Sequence, residues 1–335
     1  MSLKLGTEKN TGDDILLPTD RRFQNTVVYG AIGSGKTRSM LLSMALEQLG
    51  DTSSGATFIC GRGDESWLLD RMANKLGREV LFLNPVSDRG TSDYLETEYS
   101  SGYEMQKNLI DYVDAIRNSK IVIIDFDLAH TRKKGKKGLI KLLYHLQRAM
   151  VHNSEEHPHY VYIDDAEFSL PYISELITYG KNHAVGTTLF LSSFKLVESR
   201  SREISQFLDT NCATTIVLNR LNHEDMTYFN RRFYGEIDSK PFTRRNPNEV
   251  VVETVINNML EVKTVEIPIP TSRLITEMED EVIIEKEKRR ARKRPRTRGL
   301  LSDVIEVDND VITDFDEPQI KKRVFLDEED FFKNL

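Results

Sequence analysis

Cysteine is scarce in this chain: two residues, Cys60 and Cys212, in 335. Both fall in apolar, strand-like runs, so they read as reduced core residues rather than a disulfide or a metal pair. No uninterrupted apolar run approaches the ~20 residues needed to span a bilayer. The opening MSLKLGTEKNTGDD holds no hydrophobic signal core. These absences point to a cytoplasmic protein, at most peripheral at the inner face of a membrane. The seven histidines show no metal-ligand spacing, and His152, His157 and His159 lie in HNSEEHPH, which reads as an exposed loop. Positive charge is not in excess either. Against 53 Asp and Glu there are 46 Lys and Arg, a net charge of −7, which argues against simple bulk adhesion to nucleic acid.

The charge that is present comes in blocks. Residues 286–298, KEKRRARKRPRTR, carry nine positive side chains and one negative, and residues 303–335 are strongly acidic. A second basic run, RKKGKK at 132–137, reads as a loop following a strand. Opposed blocks of this kind suit contacts to an anionic polymer and to a basic partner, or solvated tails.

The most specific motif is GAIGSGKT at 30–37. It fits G-x-x-x-x-G-K-[ST], the phosphate-binding P-loop. Gly30, Gly33 and Gly35 let backbone N–H groups turn inward around phosphate oxygens, with Ser34 among them. Lys36 brings positive charge to the β and γ phosphates, and Thr37 offers a hydroxyl to Mg²⁺. These residues and Arg38 are the candidate ATP-binding set. A short apolar strand at 26–29 precedes the motif and a helical pattern at 37–49 follows it, which aims a helix N-terminus at the anion.

Apolar runs at 26–29, 57–60, 80–83, 121–126, 160–163, 188–191 and 214–218 alternate with helical patterns at 37–49, 66–76, 104–118, 138–152, 172–181 and 201–209. Several runs are rich in Val, Ile and Leu without alternation, as expected of strands covered on both faces. The order implies an α/β fold with a doubly wound, mostly parallel sheet of the P-loop NTPase, RecA-like type, its ligand at the carboxyl ends of the strands. Residues 1–240 form the expected P-loop domain. Residues 241–271 read as a β-rich extension with added edge strands or a hairpin at 249–256 and 260–267. Residues 272–335 read as a helical, then flexible, charged tail.

A P-loop needs a strand-tip carboxylate for the metal and a second one near the attacking water. IVIIDFD at 121–127 and YVYIDDAE at 160–167 compete for the role. The adjacent acids of the second favour Asp164 on the metal side and Asp165 as the candidate base. Asp125 and Asp127 read as strand-end acids that cap a helix or pair with a lysine.

From Leu5 to about Tyr234 the chain resembles the motor domain of type IV secretion coupling proteins of the TraG/TraD type, in the FtsK–HerA superfamily of DNA-pumping ATPases. The resemblance rests on Leu16, Leu17 and Pro18 before the P-loop, GRGDE at 61–65, Asn84 and Pro85, the acidic motif ending in Asp164 and Asp165, VGTTLFLSS at 185–193, and Asp209 to Cys212 before a β run. Asp165 stands where the family has Glu, and Phe194 where it has a sensor glutamine, with Ser192 or Ser193 as substitutes. The family's membrane-spanning segment and long helical insert have no counterpart. The resemblance implies a ring, usually a hexamer, that threads DNA without reading its sequence. It also implies a cation from the neighbouring subunit, for which Lys181, Arg200 and Arg202 are candidates, and a relaxase or membrane-anchored channel as partner. The 132–137 run and the 289–298 cluster are candidate DNA contacts. The implied activity is Mg²⁺-dependent, ATP-driven DNA translocation in conjugation. A viral genome-packaging motor and a weakly hydrolysing nucleotide-binding adaptor are the alternatives.

Overall fold

The computed structural model describes residues 2–61, 63–83, 111–126, 128–153, 156–234, 242, 246, 248–256 and 259–268. Eleven strands form one sheet in the order β2-β1-β11-β10-β9-β3-β8-β7-β4-β6-β5. The strands are β1 (Leu3–Glu8), β2 (Asp14–Leu17), β3 (Thr26–Tyr29), β4 (Gly55–Cys60), β5 (Val80–Leu83), β6 (Ile121–Asp125), β7 (His159–Ile163), β8 (Val185–Leu191), β9 (Thr214–Leu218), β10 (Glu249–Ile256) and β11 (Met259–Glu266). From β9 to β5 every pairing is parallel. The β10–β11 hairpin continues the sheet antiparallel from β9, and β1 and β2 extend it further. The hairpin is therefore internal, not an edge: β1 and β2, which the periodicity did not reveal, lie outside it.

The parallel strands are mostly apolar because, the half-buried edge strand β5 apart, both of their faces are covered. Val27 and Tyr29 of β3 face one core with Val161 and Ile163 of β7, while Val28, Tyr160 and Tyr162 face the other. The second core is closed by the P-loop helix, a π-helical opening at Lys36–Leu41 continued as α2 (Leu42–Gly50), and by α3 (Gly63–Lys75); α1 is the short Thr19–Arg22. The first core is closed by α4 (Tyr112–Arg117), α5 (Leu128–Met150), α6 (Ser174–Tyr179), α7 (Phe194–Arg200), α8 (Arg202–Asn211) and α9 (His223–Arg232). In α5 the buried Leu139, Leu142, Leu143 and Leu146 recur at helical spacing. Each such leucine contributes about 1.5–3 kcal/mol relative to exposure.

Two sequence expectations are corrected. The basic run 132–137 lies within α5, not in a loop. The helix pattern at 138–152 thus begins ten residues earlier, at Leu128. His159, expected in an exposed loop, opens β7 and is fully buried. Its Nε2 lies 2.8 Å from Thr57 Oγ1, and burial pushes its pKa down to about 3. Asp127, Asn84, Pro85, the first part of the 104–118 pattern and the tail 272–335 lie outside the described residues.

His159 carries a pH prediction. An unfolded histidine titrates near 6.5, so the unfolded chain takes up this proton first. The stability is intact above that pH and is lost progressively as pH falls toward the folded value. Moving from pH 7 to 5 is expected to remove about 2 kcal/mol through this residue. Urea unfolding of wild type and His159→Gln at both pH values measures it; identical pH responses would refute the assignment.

Candidate functional site

The P-loop leaves the carboxyl end of β3, where Gly30 N–H donates to Leu191 O at 3.1 Å and Ala31 N–H to Arg220 O at 2.9 Å. Gly33 and Gly35 have φ of 78° and 91°, the left-handed region that glycine enters without steric cost. At Gly30 the need is space: a Cβ would sit 2.4 Å from Ser34 Oγ. Ser34 Oγ is itself buried without a partner. The loop closes into its helix through Ser39 N–H and Met40 N–H, both donating to Gly35 O, at 2.8 and 3.1 Å. The second of these is an i+5 bond, the mark of a π-turn, a form found often at functional sites.

Strand order decides between the competing carboxylates. One strand, β8, separates β3 from β7, whereas β6 lies four places from β3. At about 4.8 Å per strand that is roughly 10 Å against 19 Å. Accordingly Thr37 Oγ1 donates to Asp164 Oδ2 at 3.0 Å. Asp125 is buried at the tip of β6, opposite Cys60 of β4. Asp164 is 4% exposed, and its Oδ1 has no hydrogen-bond partner. Burial first, and then the charge of Asp165, push the Asp164 pKa up to about 6 against the pull of Thr37 and Lys36.

Asp165 adopts a left-handed backbone, φ 47° and ψ 49°, before a 3₁₀ turn at Ala166–Phe168. A non-glycine residue held there costs of order 1 kcal/mol, and such strain concentrates at functional sites. The turn directs the Asp165 carboxylate to Lys36, with Oδ1 3.7 Å from Nζ. Lys36 is 7% exposed, so this cation sits in the site and not in solvent.

Phe194 does not reach the site. It is buried in the first core, stacked on Tyr228 at 4.1 Å and edge-on to Tyr29. Ser193 caps α7, accepting from Leu196 N–H at 3.1 Å and from Asn222 Nδ2 at 3.0 Å. Ser192 N–H donates to Glu167 Oε1. Two contributors escaped the sequence reading. Glu167 is one; its signal was an acid two positions past the acidic pair. The other is Arg220, exposed beyond β9, whose Nη1 lies 3.3 Å from Gly33 O; no motif marks it. Arg38 is exposed on the helix that follows the loop. Lys181 lies in the turn before β8, at the opposite end of the strands from the P-loop, while Arg200 and Arg202 are exposed where α7 meets α8.

The fold that carries these residues matches known structures. A bacterial conjugative coupling protein, TrwBΔN70 in unbound form, superposes with a TM-score of 0.55 and 11% identity over 80% of this chain and 89% of that one. The chain has the fold of the coupling protein TrwB. VirB4 of Thermoanaerobacter pseudethanolicus gives a TM-score of 0.52 at 10% identity, over 79% of this chain and 96% of that one. TrwB in complex with a non-hydrolysable ATP analogue gives 0.51 at 12% identity, over 80% and 90%. At such identities the likeness to TrwB and VirB4 is one of fold: a P-loop NTPase-like, mostly parallel sheet flanked by helices. No protein-family model matches the sequence, and no curated protein does.

Proposed function

We propose that the protein is a Mg²⁺-dependent ATPase of the conjugative coupling type, moving DNA as a ring of identical chains. The observation that carries this reading is the 3.0 Å bond between Thr37 and Asp164, which brings the two halves of a metal–triphosphate site together. The fold shared with TrwB, a protein solved with an ATP analogue, supports it. The residues present fit the group. Asp164 Oδ1 and Ser34 Oγ are buried without partners, and Gly33 and Gly35 hold the left-handed backbone that turns the loop. Thr37 and Asp164 would hold Mg²⁺, which draws charge from the phosphate oxygens when bound. The N–H groups of the loop and Lys36 bind and orient the triphosphate, and Lys36 neutralises charge developing on the γ-phosphate.

In this reading residues 1–240 are the motor, 241–271 extend its sheet, and 272–335 are a charged tail. Arg200 or Arg202 of one copy completes the site of the next. Cations of the 132–137 run on α5 and of the 289–298 cluster grip DNA phosphates without reading bases. Among the described residues no helix is long and apolar enough to cross a membrane. The protein works at the cytoplasmic face, against a relaxase or a membrane-anchored channel.

A weakly hydrolysing adaptor on the same fold is favoured by one observation: Phe194 fills a core position where the resembled motors have a polar sensor. Phosphate release with Mg-ATP, with and without DNA, separates the two. The motor is expected to be stimulated several-fold by DNA, with stimulation that falls steeply as salt rises. Tight ATP binding with negligible turnover in DNA's presence would establish the adaptor instead.

A further inference from the structure

The acidic strand ends in three carboxylates, and the structure separates their positions. Asp164 faces Thr37, and Asp165 faces Lys36. Glu167 is carried by the 3₁₀ turn back over the tip of β8, where Ser192 N–H donates to its Oε1. That tip adjoins the P-loop. Leu191, the residue before Ser192, pairs with Tyr29 in register and accepts the Gly30 N–H. Glu167 therefore stands at the end of the one strand lying between the P-loop strand and the acidic strand, next to the point where the P-loop leaves its own strand.

We propose that Glu167, and not Asp165, is the catalytic base. This assignment rests on the ATPase reading above. Three features support it. The Asp165 carboxylate is ion-paired with the cation that serves the phosphates. Glutamate is one methylene longer than aspartate, and this carboxylate reaches the backbone N–H of Ser192 at the end of β8. Glu167 is held by one oxygen only, and among the described residues no protein group bonds Oε2, which is left to take a water. In the step, the water oxygen forms a bond to the γ-phosphorus as the bond from phosphorus to the bridging oxygen breaks. The bridging electron pair stays on ADP. The water proton passes to Glu167 and from there to solvent or product phosphate, giving ADP, phosphate and one proton. The left-handed backbone of Asp165 has a purpose in this scheme: it reverses the chain so that the residue two positions on reaches β8.

The test uses the full chain and four proteins: wild type, Glu167→Gln, Glu167→Asp and Asp165→Asn. The glutamine keeps an acceptor for Ser192 N–H and removes the base. Calorimetric affinity for Mg-ATP is expected to change less than about threefold in Glu167→Gln while turnover falls at least about 100-fold, the scale of a lost general base. Glu167→Asp, which keeps the charge, is expected to bind equally and to lose at least about tenfold in turnover, and it answers the question should the glutamine variant fail to fold. Asp165→Asn, which removes the ion pair to Lys36, is expected to lose at least about tenfold less turnover than Glu167→Gln. Wild-type turnover in both Glu167 variants, or a collapse in Asp165→Asn with binding intact, overturns this assignment alone. A wild-type chain that neither binds nor hydrolyses Mg-ATP overturns the parent reading as well.

Discussion

Replacing Lys36 by alanine is expected to lower ATP turnover by about 10³-fold, the scale of losing a principal electrostatic contact to the reacting phosphate. The structure makes this the largest single effect. Lys36 is almost wholly buried, and its Nζ lies 3.7 Å from Asp165. Its removal takes away the loop's own cation and the ion pair that cation makes with Asp165, beside Asp164, whose own charge already suffers from burial. The negative charge facing an incoming triphosphate would then be less well balanced. Affinity should weaken together with turnover. Steady-state phosphate release at saturating Mg-ATP and DNA is the measurement, and a variant retaining a tenth of wild-type activity would contradict the role.

Asp164→Asn is expected to produce opposite effects in the empty and the loaded protein. Without ligand, the wild-type carboxylate is 4% exposed, has one oxygen without a partner, and lies beside Asp165. Removing a charge from such a place relieves a desolvation cost, so the empty variant should melt at or above the wild-type temperature. With Mg-ATP at a hundredfold excess over its dissociation constant, wild type gains about 2.7 kcal/mol, or roughly 4–5 °C in melting temperature. The variant should gain less than a third of that, because Thr37 alone remains to hold the metal. Thermal melts with and without Mg-ATP decide the matter. A variant that is less stable when empty and fully stabilised by ligand would show that Asp164 is structural.

The seven parallel strands were legible because burial on both faces selects uninterrupted Val, Ile and Leu, and no other element of this size needs that composition. The loop was legible because Gly33, Gly35 and Lys36 occupy positions where few other residues serve. What stayed hidden has physical causes as well. The strands β1 and β2 carry Gly6, Lys4 and Asp14 and are only half covered, so their alternation is weak. The cations of 132–137, interrupted by Gly135 and followed by Gly138, have the composition of a turn. Among the side chains described, the apolar stripe that holds α5 down runs from Leu139 to Met150. His159 was hidden by its polar neighbours: two residues separate it from a surface segment, yet the sheet begins at its own backbone. Glu167 was visible but unassigned, since spacing alone does not reveal that Asp165 reverses the chain. The helix α7 was missed because the run leading into it is strand, and its start depends on Ser193 capping Leu196.

The pairing of β1 with β11 has a consequence for folding. Thr7 and Glu8 meet Glu266 and Val265, so two strands far apart along the chain are joined edge to edge. Such a long-range closure is slow. Until β1 docks, β11 is the outer strand of the sheet and presents a row of unpaired backbone groups, the kind of edge on which a second chain can add.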